Sequence, residues 1–215
     1  MNEGYLKEKV ILFLYVIYKY SNRANKHTLE RYLYLYFFSL NFFLSEDNES
    51  IDNIVFSKYS GNIVGLDEVY SDLEIAELIE IDNNDIVVFD TLYKTVSTML
   101  ENTSGQFYYE YKGIQPFVNL LKSYNDDYIF TIFFSEPTQK SIEDRNIDNI
   151  YLNSSKLVKL LNEFRSKLKN KEIDDYDILT HWMNFVLKEY YVSRSNDNGW
   201  FYEFDWWYII VWCRI

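Results

Sequence analysis

Glu110, Tyr111 and Lys112 form an acid-x-lysine triplet, the pattern that many metal-dependent nucleases carry on a strand. In such a site paired carboxylates hold Mg²⁺ while the lysine helps to activate the attacking water. A second acid is needed, and Asp90 or Glu101 could supply it. The same triplet recurs by chance in charged chains, and an exposed strand face is the better reading of it. Asp174, Asp175 and Asp177 also cluster, but they sit where a helix starts, and acids in a first turn offset the helix dipole. His27 and His181 are far apart in sequence and Cys213 stands alone, so no zinc-ligand spacing exists. His181, beside Trp182, reads as a packed or surface histidine. A Cys–His nucleophile would have to be built on Cys213 with two histidines to choose from. The six glycines never cluster into a phosphate-binding loop. The sequence therefore reads as non-catalytic, with no metal and no cofactor.

The elements that would position such residues are rich in large side chains. Aromatics make up 20% of the 215 residues, led by 21 Tyr and 16 Phe, while only 6 Gly and 2 Pro punctuate the chain. That balance belongs to a folded protein with a large core rather than to a disordered one. A single cysteine excludes an internal disulfide and fits a reducing cytoplasm. The apolar run VILFLYVIY near the start mimics a signal-peptide core, but Glu3 and Glu8 flank it and no small-x-small cleavage site follows. The longest uncharged run, residues 32–45, falls short of the roughly 18 residues that span a bilayer, so no membrane segment is expected.

Leu6, Val10, Phe13, Leu14 and Ile17 repeat at helical spacing and predict a helix over 5–20. SNRANKH reads as a polar connector, after which Thr28 can cap a second helix carrying Leu29, Leu33, Tyr36, Phe37 and Leu40. Leu66, Val69, Leu73 and Ala76 mark a third helix. LIEI, DNND and IVVF then form a β-hairpin signal, and Asp90 or Thr91 can cap a further helix through Leu92, Val96, Met99 and Leu100. Three helices, a hairpin and a helix follow the order of a winged-helix unit. Beyond it, QFYYEY (106–111) looks strand-like, and Pro116 suits the first turn of a short helix ending near Tyr124. YIFTIFF (128–134) could be strand or helix, SEPTQKSIEDRNIDN resembles a linker, and two more helices are expected before the C-terminal tail. The expected class is mainly α with a small β-hairpin (α+β): a winged-helix-like unit over 1–104, then a mostly helical region over 105–215 packed on it or continuous with it.

Charge argues against duplex DNA as a direct ligand. Residues 46–90 hold thirteen acids against Lys58 alone, so this block carries the whole net charge of −12. The third helix, where a recognition helix would lie, reads LDEVYSDLEIAEL, and the hairpin turn is DNND. Both repel phosphates. The acidic block reads as a solvated face first and as a docking site for a basic partner second. The one basic concentration lies over 156–171, where Lys156, Lys159, Arg165, Lys167 and Lys169 are weak nucleic-acid candidates beside the plainer reading of a solvated helix face.

The stretch 199–215, GWFYEFDWWYIIVWCRI, is eight-seventeenths aromatic and holds four of the five tryptophans. It could be packed into the protein's own core or used for docking, because Trp and Tyr are favoured anchors at interfaces. Trp200, Trp206, Trp207 and Trp212 are the partner-interface candidates.

ILFLYVIYKY, TLERYLYLYFF, FSKYSGNIVGLDEVYSDLEIAELIEI and IVVFDTLYKTV together follow a pattern across about half the chain. The pattern includes a Tyr-Gly-type turn at YSGN (Tyr59 to Asn62). It resembles the middle-component proteins of ABC-three-component systems and the small accessory subunits of Lamassu-type antiphage systems. More distantly it resembles the Panacea (SocA-like) antitoxin domain. The resemblance implies a non-catalytic, cytoplasmic subunit of a hetero-oligomer, binding an SMC-like (Rad50-like) coiled-coil ATPase beside a nuclease-type effector. DNA would then be met only through the complex. The antitoxin likeness implies an alternative, neutralisation of a toxin by direct binding. It carries over no catalytic residue.

Overall fold

A computed structural model describes residues 3–43, 55–57, 63–124 and 149–151. In chain order these form α1 (Glu3–Tyr18), β1 (Arg23–Asn25), α2 (Lys26–Phe43), β2 (Val55–Ser57), α3 (Leu66–Ile75), β3 (Ile79–Asp82), β4 (Asp85–Val88), α4 (Asp90–Leu100), α5 (Gln106–Lys122) and β5 (Asn149–Tyr151). The described part is mainly helical with a small antiparallel sheet in the order β1-β4-β3, and β2 pairs separately with β5. Helix, strand, two helices and a two-stranded wing is winged-helix order, and α4 and α5 extend it.

α1 is the central element. Leu6, Val10, Leu12, Phe13, Leu14, Val16 and Ile17 are all buried. A helix apolar on nearly every side needs cover on every side, and α2, α3, α4, α5 and β1 provide it. Phe13 sits edge-on to Tyr36 of α2 at 5.2 Å between centroids and to Phe117 of α5 at 6.4 Å. Tyr36 and Phe117 close the triangle at 5.4 Å. Each such ring contributes about 1.5–3 kcal/mol by leaving water.

The connector SNRANKH contains β1, a strand too short for a period-2 pattern to show. Ala24 is its one buried residue and pairs with Ile86. Asn25, not Thr28, caps α2: its Oδ1 accepts from the backbone N–H of His27 (3.1 Å) and Thr28 (3.3 Å). At α4 the N-cap is Phe89, without a side-chain bond, and Asp90 is the first helical residue instead of the cap. There Asp90 accepts a hydrogen bond from the Tyr18 hydroxyl, which holds its carboxyl below the usual carboxylate range.

The larger correction lies at 106–124. QFYYEY is not a strand, and Pro116 is not in a first turn: Gln106–Lys122 is one helix with Pro116 inside it. Tyr and Phe favour strands intrinsically, but Ile114, Phe117, Val118 and Leu121 repeat at helical spacing and are buried against α1 and α2. Tertiary packing outweighs both the local preference and the ladder donor that proline lacks. α5 therefore shares the core of the winged-helix unit across the expected boundary at 104/105.

α3 ends in a Schellman motif. Leu78 N–H bonds Leu73 O (3.0 Å) and Glu77 N–H bonds Glu74 O (2.9 Å), with Glu77 left-handed at φ 54°. That conformation costs a residue with a Cβ about 1 kcal/mol or more and costs glycine almost nothing. Glu77→Gly is expected to raise the free energy of unfolding by about 1 kcal/mol, read by chemical denaturation. An unchanged or lower midpoint would contradict it.

Candidate protein-docking face

α3 divides cleanly. Leu66, Val69, Tyr70 and Leu73 are buried, while Asp67, Glu68, Ser71, Glu74 and Ile75 form a continuous exposed stripe. Ile75 is 83% exposed. The stripe lies where a winged helix would present its recognition helix, and it offers three carboxylates and an isoleucine. The wing beside it turns through Asn83, left-handed at φ 57° as Asn tolerates, between Asp82 and Asp85.

Two of the acids on α3 are matched from outside the helix. Lys26 of α2 reaches Asp67 at 2.8 Å, and Lys7 of α1 reaches Asp72 at 2.8 Å. Both contacts stitch α3 to its neighbours and contribute little individually because they are solvent-accessible. Glu68 and Glu80 are exposed, and among the described residues no ion pair engages them.

Beneath the stripe lies a polar seam between α2 and α3. Glu30 is buried and meets His27 Nδ1 at 3.3 Å. Burial pushes its carboxyl pKa up, while His27 and Lys26 pull it down. Tyr70 is 1% exposed, with Lys26 Nζ 5.2 Å above its ring. Its hydroxyl has no hydrogen-bond partner among the described residues, and burial, then the charges of Glu30 and Asp67, hold its pKa well above 10. Glu30 and Tyr70 are the buried part of this seam, while His27 is exposed at its rim.

Glu110, whose triplet reads from sequence as an exposed strand face ahead of a nuclease site, lies on α5 and not on a strand. Its carboxylate contacts the ammonium of Lys9, which is fully buried on α1 and lies 4.3 Å from the Tyr5 ring. Burial lowers the Lys9 pKa to about 8, and Glu8, 3.9 Å away, opposes that shift. Glu110 is thus committed to a helix–helix ion pair. Lys112 is exposed, and so are Asp90 and Glu101. Among the described residues no group of three metal-ligating side chains is assembled.

Lys9 was legible in principle, because it falls on the Leu6–Val10–Phe13 face of α1 and so requires a buried partner. Glu74 and the Tyr70–Glu30 seam carried no comparable sequence signal. Lys156, Lys159, Arg165, Lys167 and Lys169 lie outside the described residues, as do Trp200, Trp206, Trp207 and Trp212. So do the segment 128–134, the cluster Asp174, Asp175 and Asp177, His181 and Cys213. No helix among the described residues is long and apolar enough to cross a membrane.

Fold and surface together define the described part as a mainly α, α+β unit of winged-helix order with an acidic outer face on α3. No protein-family model, curated protein or solved structure matches the chain.

Proposed function

We propose that this chain is a non-catalytic accessory subunit of a bacterial antiphage defence complex. In this reading the winged-helix unit serves as a protein-docking module. Its partners are an SMC-like coiled-coil ATPase and a nuclease-type effector, and DNA is met only through the assembly. The observation that supports this reading is the outer stripe of α3, where Glu68, Glu74 and the exposed Ile75 occupy the place of a DNA-reading helix. Carboxylates there repel a phosphate backbone and attract a basic protein surface, while Ile75 supplies an apolar anchor. The resemblance of the first hundred residues to ABC-three-component middle components and Lamassu accessory subunits supplies the identity of the partner.

The test is co-expression of the tagged full chain with the products of its neighbouring genes, followed by affinity purification. A coiled-coil ATPase is expected to co-purify, and Glu68→Lys with Glu80→Lys is expected to weaken that association about tenfold or more while thermal unfolding stays unchanged. The free chain is expected to show no saturable binding to a short DNA duplex at low micromolar concentration and low salt. Sub-micromolar, salt-sensitive DNA binding would overturn the reading. Recovery of a small toxin in place of the ATPase would replace it with the antitoxin alternative.

A further inference from the structure

The sheet order β1-β4-β3 leaves β3 as an edge, with no strand beyond it among the described residues. Phe89 N–H donates to Leu78 O at 3.0 Å, so the Leu78 carbonyl and, within β3, the backbone groups of Glu80 and Asp82 turn toward β4. By alternation, Ile79 and Ile81 point theirs outward. One of those outward donors is already taken: Ile81 N–H bonds the Glu74 carboxylate at 2.9 Å, reaching across from α3. A side chain thus occupies a position on this edge that an adjoining strand's carbonyl would fill. Edge strands with free backbone groups are templates for added strands, and proteins commonly blunt them with charge. Here the charge is of one sign. Glu80 and Asp82 lie on the strand itself, Glu74 and Glu77 flank it, and the exposed Ile75 adjoins Glu74.

We propose that the β3 edge takes an extended, basic segment of a partner protein as an additional strand. The carbonyls of that segment accept from the N–H groups of Ile79 and Ile81, and its own N–H groups donate to their carbonyls. The Glu74 carboxylate leaves Ile81 N–H and pairs with a Lys or Arg of the incoming strand, while an apolar side chain of the same strand rests on Ile75. Backbone bonding gives such a contact its affinity, and the acids select the sign of the partner's charge. Glu74 keeps the edge satisfied until that partner arrives. This inference rests on the reading of the acidic face as a docking surface and adds which kind of element docks there.

The experiment uses the full-length chain and a blocked synthetic peptide of alternating lysine and valine. Two controls accompany it: the same peptide N-methylated throughout, and a helix-forming lysine–alanine peptide of equal charge. The expected result is binding of the alternating peptide, about tenfold or more weaker once N-methylation removes its backbone donors, on the scale of one or two lost hydrogen bonds. Hydrogen exchange should show the Ile79 amide becoming protected in the complex. Ile81→Pro, which removes an outward donor at a position where edge strands tolerate proline, should weaken binding similarly. Equal binding of all three peptides with the Ile79 amide still exchanging would overturn strand addition and leave the acidic-face reading standing. No binding of any basic peptide would overturn both.

Discussion

Replacing Lys9 by Met is expected to destabilise the protein by about 3–5 kcal/mol, and adding Glu110→Leu should restore most of that loss. The ammonium of Lys9 is fully buried between α1 and α5, with the Glu110 carboxylate against it. Removing one partner strands the other charge in a place where water cannot solvate it well, and that penalty, rather than the attraction itself, sets the size of the effect. Removing both leaves two apolar side chains of similar bulk on packed helices. Urea denaturation of the two single variants and the double variant closes the cycle. Additive single losses, with no recovery in the double variant, would show that the two side chains do not act as a pair.

Phe117→Ala should be of comparable size, about 3–5 kcal/mol, because it opens a cavity where three helices meet. Phe117 is fully buried and lies within 5.4 Å of Tyr36 and 6.4 Å of Phe13, centroid to centroid. Edge-on and tilted ring pairs add about 0.5–1.5 kcal/mol beyond their buried area. Since Phe117 and Glu110 anchor the same helix to α1, their losses should fall short of additive once α5 has loosened. Far-ultraviolet circular dichroism alongside denaturation separates loosening of α5 from global unfolding. A loss below about 1 kcal/mol would mean that α5 is not held by this triangle.

These two sites also show how far the sequence could be read. The apolar spacing of Leu66, Val69 and Leu73 marked α3, and LIEI–DNND–IVVF marked the β3–β4 hairpin, because each signal is local and repeats in phase with its element. QFYYEY misled because its aromatic residues fit a pleated strand as well as a helix. What decides the matter is Phe13 and Tyr36, contributed from distant parts of the chain. β1 was missed for a different reason: three residues give no periodicity, and only its ladder with β4 defines it. The acidic stripe on α3 was readable as charge. The Glu74–Ile81 contact was not, since nothing in the one-dimensional pattern shows that β3 is an edge or that α3 leans toward it.

The pairing of β2 with β5 ties Val55 to Tyr151 and Ser57 to Asn149. At translation rates of about 5–20 residues per second, β2 leaves the ribosome roughly 5–20 s before its partner strand exists. The last described helix that packs on α1 ends at Lys122, so every described element of the helical core is synthesised before β5. The helical core can therefore form around α1 while β2 still waits, with the loop between the two strands closing last at a modest entropic cost. Among the described strands, β2 is consequently the one with the longest window in the nascent chain for capture by a wrong partner.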